Sequence, residues 1–125
     1  MRAWWAEFTA CAYAHTLAGL ATAFVLGTLI GLERQWRQRT AGLRTNVLVA
    51  VGAAAFSDLG MRLLGTEGAT RIISYVVSGI GFLGAGVILK DGTNIRGLNT
   101  AATLWCSAAI GTFAGSRLPA EAATL

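Results

Sequence analysis

Residues Thr9–Leu32, TACAYAHTLAGLATAFVLGTLIGL, run for 24 positions with His15 as the one side chain that titrates near neutrality. A helix rises about 1.5 Å per residue, so about 20 apolar residues cross the hydrocarbon core of a bilayer. The stretch is long enough to span. It also exceeds the apolar core of a cleaved signal peptide, about 7–15 residues, and Glu7 precedes it. It therefore reads as a retained transmembrane helix.

Three further apolar stretches follow. One runs from Asn46 to about Gly65, with Asp58 and Arg62 in its second half. One runs from Ile72 to Leu89 without a charge, and one from Leu98 to about Gly115. Lengths of this order between short polar loops predict an all-α transmembrane bundle of four spans, and no period-two strand pattern competes. Pro119–Leu125, PAEAATL, reads as the start of a possible fifth helix. One domain over residues 1–125 is expected.

Composition agrees. Hydrophobic residues make up 54% and charged residues 13%, against about a quarter charged in soluble domains. The 16 glycines suit helices that must approach closely, because lipid supplies no hydrophobic drive between them. The pI near 9.8 does not point to nucleic acid, since the arginines lie between apolar segments and not along one basic surface. Cys11 and Cys106 fall inside apolar segments, read as buried thiols and lack metal spacing. His15, without a ligand-type neighbour at helical spacing, reads as a buried neutral histidine.

The loops orient the bundle. Glu33–Arg44, ERQWRQRTAGLR, holds four arginines, and Lys90–Gly97, KDGTNIRG, holds Lys90 and Arg96. The intervening loop holds Arg62 and Arg71, and Arg2 precedes the first span. The positive-inside bias then places the first and third loops in the cytoplasm and the N-terminus outside.

Three stretches carry a family likeness: Gly31–Asn46 (GLERQWRQRTAGLRTN), Ser78–Ile88 (SGIGFLGAGVI) and Arg96–Ser107 (RGLNTAATLWCS). Through them the sequence resembles the MgtC/SapB family of bacterial inner-membrane proteins over roughly residues 17–118. The resemblance implies a hydrophobic N-terminal domain, usually of five helices, often followed by a soluble cytoplasmic domain. It implies links to growth in low magnesium, to intracellular survival and virulence, and in some members to restraint of the proton-driven ATP synthase. Magnesium transport is not established for the family. This sequence reads as ending before a full fifth helix and the soluble domain.

The remaining motifs are weighed against that background. Gly79–Gly84, GIGFLG, satisfies GxGxxG but lies mid-helix without the strand or the acid of a dinucleotide site; helix packing is expected instead. Gly27, Gly31, Gly79, Gly81, Gly84, Gly86, Gly111 and Gly115 are the expected packing positions, with Gly27/Gly31 and Gly111/Gly115 as GxxxG pairs. Asn99, Thr103, Ser107, Gly111 and Gly115 recur every four residues, a stripe for interhelical contacts or a polar lining, with Asn99 or Thr100 as helix N-cap.

Glu33 and Arg37 have the favourable order for an i,i+4 pair. Together with Arg34, Arg44, Asp91, Arg96, Asn99, Thr100 and Thr103 they form a candidate polar site at the cytoplasmic mouth. Glu33 and Asp91 are weak candidates for a magnesium ion, but the surrounding arginines favour an anionic partner such as a lipid headgroup. Asp58 is read at the outer interface, with the helix ending near Phe56. No catalytic set, phosphate loop or cofactor motif is visible, so no enzyme activity or cofactor is expected. The expected partners are membrane lipid and another membrane protein or a second copy. The opposing reading is a small oligomeric transporter or channel for magnesium or another ion, with the α-helical stripe as pathway.

Overall fold

The structure is a computed structural model. It describes residues 3–125, without the side chains of residues 3–8, Asp91, Pro119 and Ala120. Arg2, which entered the charge balance, lies outside the described residues. The class is all-α: α1 (Ala3–Trp36), α2 (Leu43–Val87), α3 (Leu98–Gly115) and α4 (Pro119–Thr124), with a hairpin of β1 (Leu89–Asp91) and β2 (Asn94–Arg96) between α2 and α3. Among the described residues two helices, α1 from Thr9 onward and α2, are long and apolar enough to cross a membrane.

The expected second and third spans are the two arms of α2. Drawn straight, its 45 residues would reach about 68 Å, more than twice a hydrocarbon core. The helix instead breaks at Leu64 (φ −135°, ψ 15°) and Gly65 (φ 64°, ψ −145°). The Gly65 conformation is close to one that only glycine adopts readily. The second arm then folds back on the first. A Cβ placed on Gly60 would lie 2.8 Å from the Gly68 carbonyl oxygen, and one on Gly68 would overlap the Gly60 carbonyl. Leu48 and Phe56 of the first arm and Leu83 and Ile72 of the second line one apolar cavity of about 590 Å³. The loop expected around Arg62–Arg71 is thus helical except at the break.

The interior is made of small residues. Ala23, Ala50, Ala54, Ile110 and Ala114 form one buried cluster, and Ile80, Leu104 and Ala108 another. Large apolar side chains point outward instead: Trp36 is 90% exposed, Phe82 83% and Tyr75 73%. Close backbone approach makes this possible. A Cβ on Gly19 would lie 2.7 Å from the Ala114 oxygen, and one on Gly27 3.0 Å from the Ala50 Cβ. One on Gly31 would lie 2.5 Å from the Leu43 Cα, and Gly111 and Gly115 press on the carbonyls of Ala50 and Ala54.

Several expectations are corrected. Gly84 is buried against α3, with a Cβ there 3.5 Å from that of Ala101, but Gly79, Gly81 and Gly86 meet nothing within 4 Å. Ile80 and Gly84 thus form the inward face of this run, while Gly79, Gly81 and Gly86 make no close helix contact within this chain. Cys11, Cys106 and His15 are exposed, not buried; each sits on the outward face of its helix. The residue at the N-cap of α3 is Gly97, in the left-handed region (φ 92°), and no side chain caps it. A Cβ at Gly97 would collide with the Val87 carbonyl oxygen, so the sharp entry into α3 requires glycine. The Asp91-Gly92 turn closes a true hairpin, with Leu89 opposite Arg96 and Asp91 opposite Asn94. Gly92 takes φ 64° at the first of two loop residues, the position where a type II′ turn uses glycine.

Candidate functional site

The end of α1 builds the site. Gln38 adopts φ 53°. Its N–H donates to the Gln35 carbonyl and that of Arg39 to the Arg34 carbonyl, each at 3.0 Å. This is the paired bonding of a Schellman helix end. It turns the chain back over the last helical turn and sets Thr40 above Arg34. The Arg34 Nη2 donates to the Thr40 carbonyl oxygen at 2.9 Å and to the Thr100 hydroxyl on the first turn of α3. The hydroxyls of Thr40 and Thr100 are 3.2 Å apart. Arg34 is only 4% exposed.

Among the described residues that arginine has no carboxylate partner. Its Nε is buried with no acceptor among the described residues. Glu33, its neighbour in sequence, is taken by Arg37 at 2.6 Å on the exposed surface. A buried charge without a counter-charge is costly, so the environment favours an added anion. Arg34 opens onto a cavity of about 560 Å³ that Arg39, Thr40, Arg96, Asn99 and Thr100 also line; among the described residues no Asp or Glu lines it. The α1–α2 connection and the hairpin loop meet here, so the two arginine-bearing loops share one end of the bundle.

Beneath the cavity lies Asn46, fully buried. Its Nδ2 donates to the carbonyls of Ala41 (2.7 Å) and Gly42 (2.9 Å), and its Oδ1 accepts the Ser107 hydroxyl at 2.7 Å. The α1–α2 connection is thereby tied to α3.

The expected polar site divides. Arg34, Arg96, Asn99 and Thr100 come together in one cavity. Glu33 and Arg37 pair outside it, and Arg44 is exposed on the first turn of α2. The Thr103 hydroxyl is turned into its own helix, donating to the Asn99 carbonyl at 2.8 Å. The Asp91 side chain lies outside the described residues. Among the described residues no three metal-ligating side chains cluster, and Glu33, one of the two carboxylates suggested for magnesium, is engaged by Arg37. Ser107 is sealed inside by Asn46, which closes the lower half of the α3 stripe. Sequence reading had passed over Asn46 and Thr40 as site residues. Asn46 carried a usable signal: an amide at the head of an uncharged apolar run must find partners.

At the opposite end the structure overturns the exposed reading of Asp58. The helix continues past Phe56, and Asp58 is buried. It accepts the Thr16 hydroxyl at 2.7 Å and faces the Arg62 Nε at 4.0 Å.

Small and polar side chains inside and large apolar ones outside, on helices of spanning length, define a helical membrane protein. A model of the MgtC family matches residues 20–125, and the chain belongs to that family. It is similar to protein MgtC of Brucella abortus, 62% identical over 110 residues, 88% of this chain and 46% of that protein. Protein MgtC of Salmonella typhimurium is 61% identical over 99 residues, 79% of this chain and 42% of that one. An uncharacterized protein of Synechocystis is 59% identical over 108 residues, 86% of this chain and 46% of that protein. The chain thus spans a little under half the length of the curated relatives it matches. No solved structure matches.

Proposed function

We infer that this chain is the membrane part of a regulatory protein that works by binding and not by catalysis. It sits in the bacterial inner membrane as a multi-pass bundle with its N-terminus outside and the Arg34 end in the cytoplasm. Its role is adaptation to low magnesium and to life inside a host cell, as the names of its relatives and the family likeness suggest. The partner is another membrane protein, with the proton-driven ATP synthase as the candidate the likeness brings, or membrane lipid. One observation carries this reading: a cavity at one end of the bundle lined by three arginines and, among the described residues, no acid. Such a surface recruits an anionic partner.

The transport alternative loses support from the same geometry. Ser107, expected on the pathway, is fully buried and bonded to Asn46, and the large cavity between the arms of α2 is apolar. Flux measurements on the purified protein in liposomes test the choice. Regulation predicts no magnesium flux above that of protein-free vesicles, and a saturable flux would overturn it.

A further inference from the structure

We propose that the cavity over Arg34 is a binding site for a phosphate group. The proposal rests on reading this end as the working end, and it names the ligand chemistry. Two independent features point the same way. The first is Arg34 itself, only 4% exposed, with its Nε lacking an acceptor among the described residues. Its Nη2 is fixed by Thr40 and Thr100, so the guanidinium is held in one orientation before any ligand arrives. The second is α3, an 18-residue helix whose N-cap Gly97 has no side-chain bond. Gly97, Asn99 and Thr100 line the cavity, which therefore borders a helix N-terminus, where unpaired N–H groups and the positive end of the dipole favour an anion.

Charge and size choose the anion. Arg39 and Arg96 join Arg34 in the lining. Three guanidinium groups exceed what one carboxylate can neutralise, and they match a phosphate group, with its several acceptor oxygens and its charge. The volume of about 560 Å³ falls within the range of small-molecule pockets and leaves room for an ester substituent beyond the phosphate. A lipid headgroup and free phosphate share this chemistry. Exposed Trp36, Leu89 and Leu98 stand around the same end.

The test uses the full chain purified in an uncharged detergent. One arm titrates inorganic phosphate, with chloride at equal ionic strength as control. The other measures retention of phosphatidylglycerol against phosphatidylcholine by native mass spectrometry. Arg96→Gln probes the site on an exposed residue, so folding is not at stake; Arg71→Gln, at the other end of the bundle, is the control. Saturable binding in either arm, weakened about tenfold or more by Arg96→Gln and unchanged by Arg71→Gln, is the expected result. Phosphate binding identifies a free oxyanion, and lipid binding alone a headgroup. No saturable binding in either arm, or binding indifferent to Arg96→Gln, overturns the site. That failure would leave the regulatory reading standing if variants at this end still lost low-magnesium growth.

Discussion

Asn46 Oδ1 accepts the hydroxyl of Ser107, 61 residues away in sequence, at 2.7 Å, while both Asn46 amide hydrogens go to carbonyls of the α1–α2 connection. One side chain thereby ties the connection that carries Thr40 to the helix that carries Thr100. Removing it leaves a hydroxyl and two carbonyls without these partners.

Asn46→Ala should therefore cost more than Ser107→Ala. An unsatisfied buried group costs about 1–3 kcal/mol, whereas a single interhelical bond in a membrane protein averages about 0.6 kcal/mol. Thermal unfolding of both variants in detergent checks the order. Equal stability of Asn46→Ala and the parent would remove the amide from the account.

The glycines separate in the same way. Gly111 rests on the Ala50 carbonyl, while Gly81 meets nothing within 4 Å. Gly111→Ala should part α2 from α3 and lower the unfolding temperature clearly. Gly81→Leu should be tolerated in the isolated chain. A large loss from Gly81→Leu would show that its face is covered, and by a contact outside this chain.

Cysteine labelling tests the orientation. Cys11 and Cys106 are exposed, so both are first replaced by serine. Thr40→Cys and Thr93→Cys should then resist an impermeant reagent added outside intact cells, and Glu67→Cys should react. Labelling at Thr40→Cys would reverse the topology.

Much of this was legible in the chain because apolar length and loop charge are local properties. The start of α3 at Leu98 and its end near Gly115 follow from them directly, and the break in α2 fell at the expected Gly65. What escaped was whatever depends on which face of a helix meets which neighbour. The run from Gly79 to Gly86 looked like one packing surface, yet only Ile80 and Gly84 in it are buried, and which of its positions turn inward is fixed only when the arm folds back at Gly60 and Gly68. Arg34 and Arg37 looked alike in sequence. They differ because the helix end at Gln38 folds Thr40 over one of them and leaves the other beside Glu33. Asp58 looked too costly to bury until Thr16, 42 residues earlier, supplied a donor.

The most direct test of the central claim sets Arg96 against Arg37. Both are exposed arginines at the same end of the bundle, but Arg96 lines the cavity and Arg37 pairs with Glu33 outside it. Each is replaced by alanine at the chromosomal locus, and growth in low magnesium is measured beside protein abundance in the membrane fraction. The expected result is normal abundance for both, growth lost with Arg96→Ala and kept with Arg37→Ala. Equal growth of the two variants, or a growth loss that only follows reduced abundance, would contradict the assignment of this cavity as the working site.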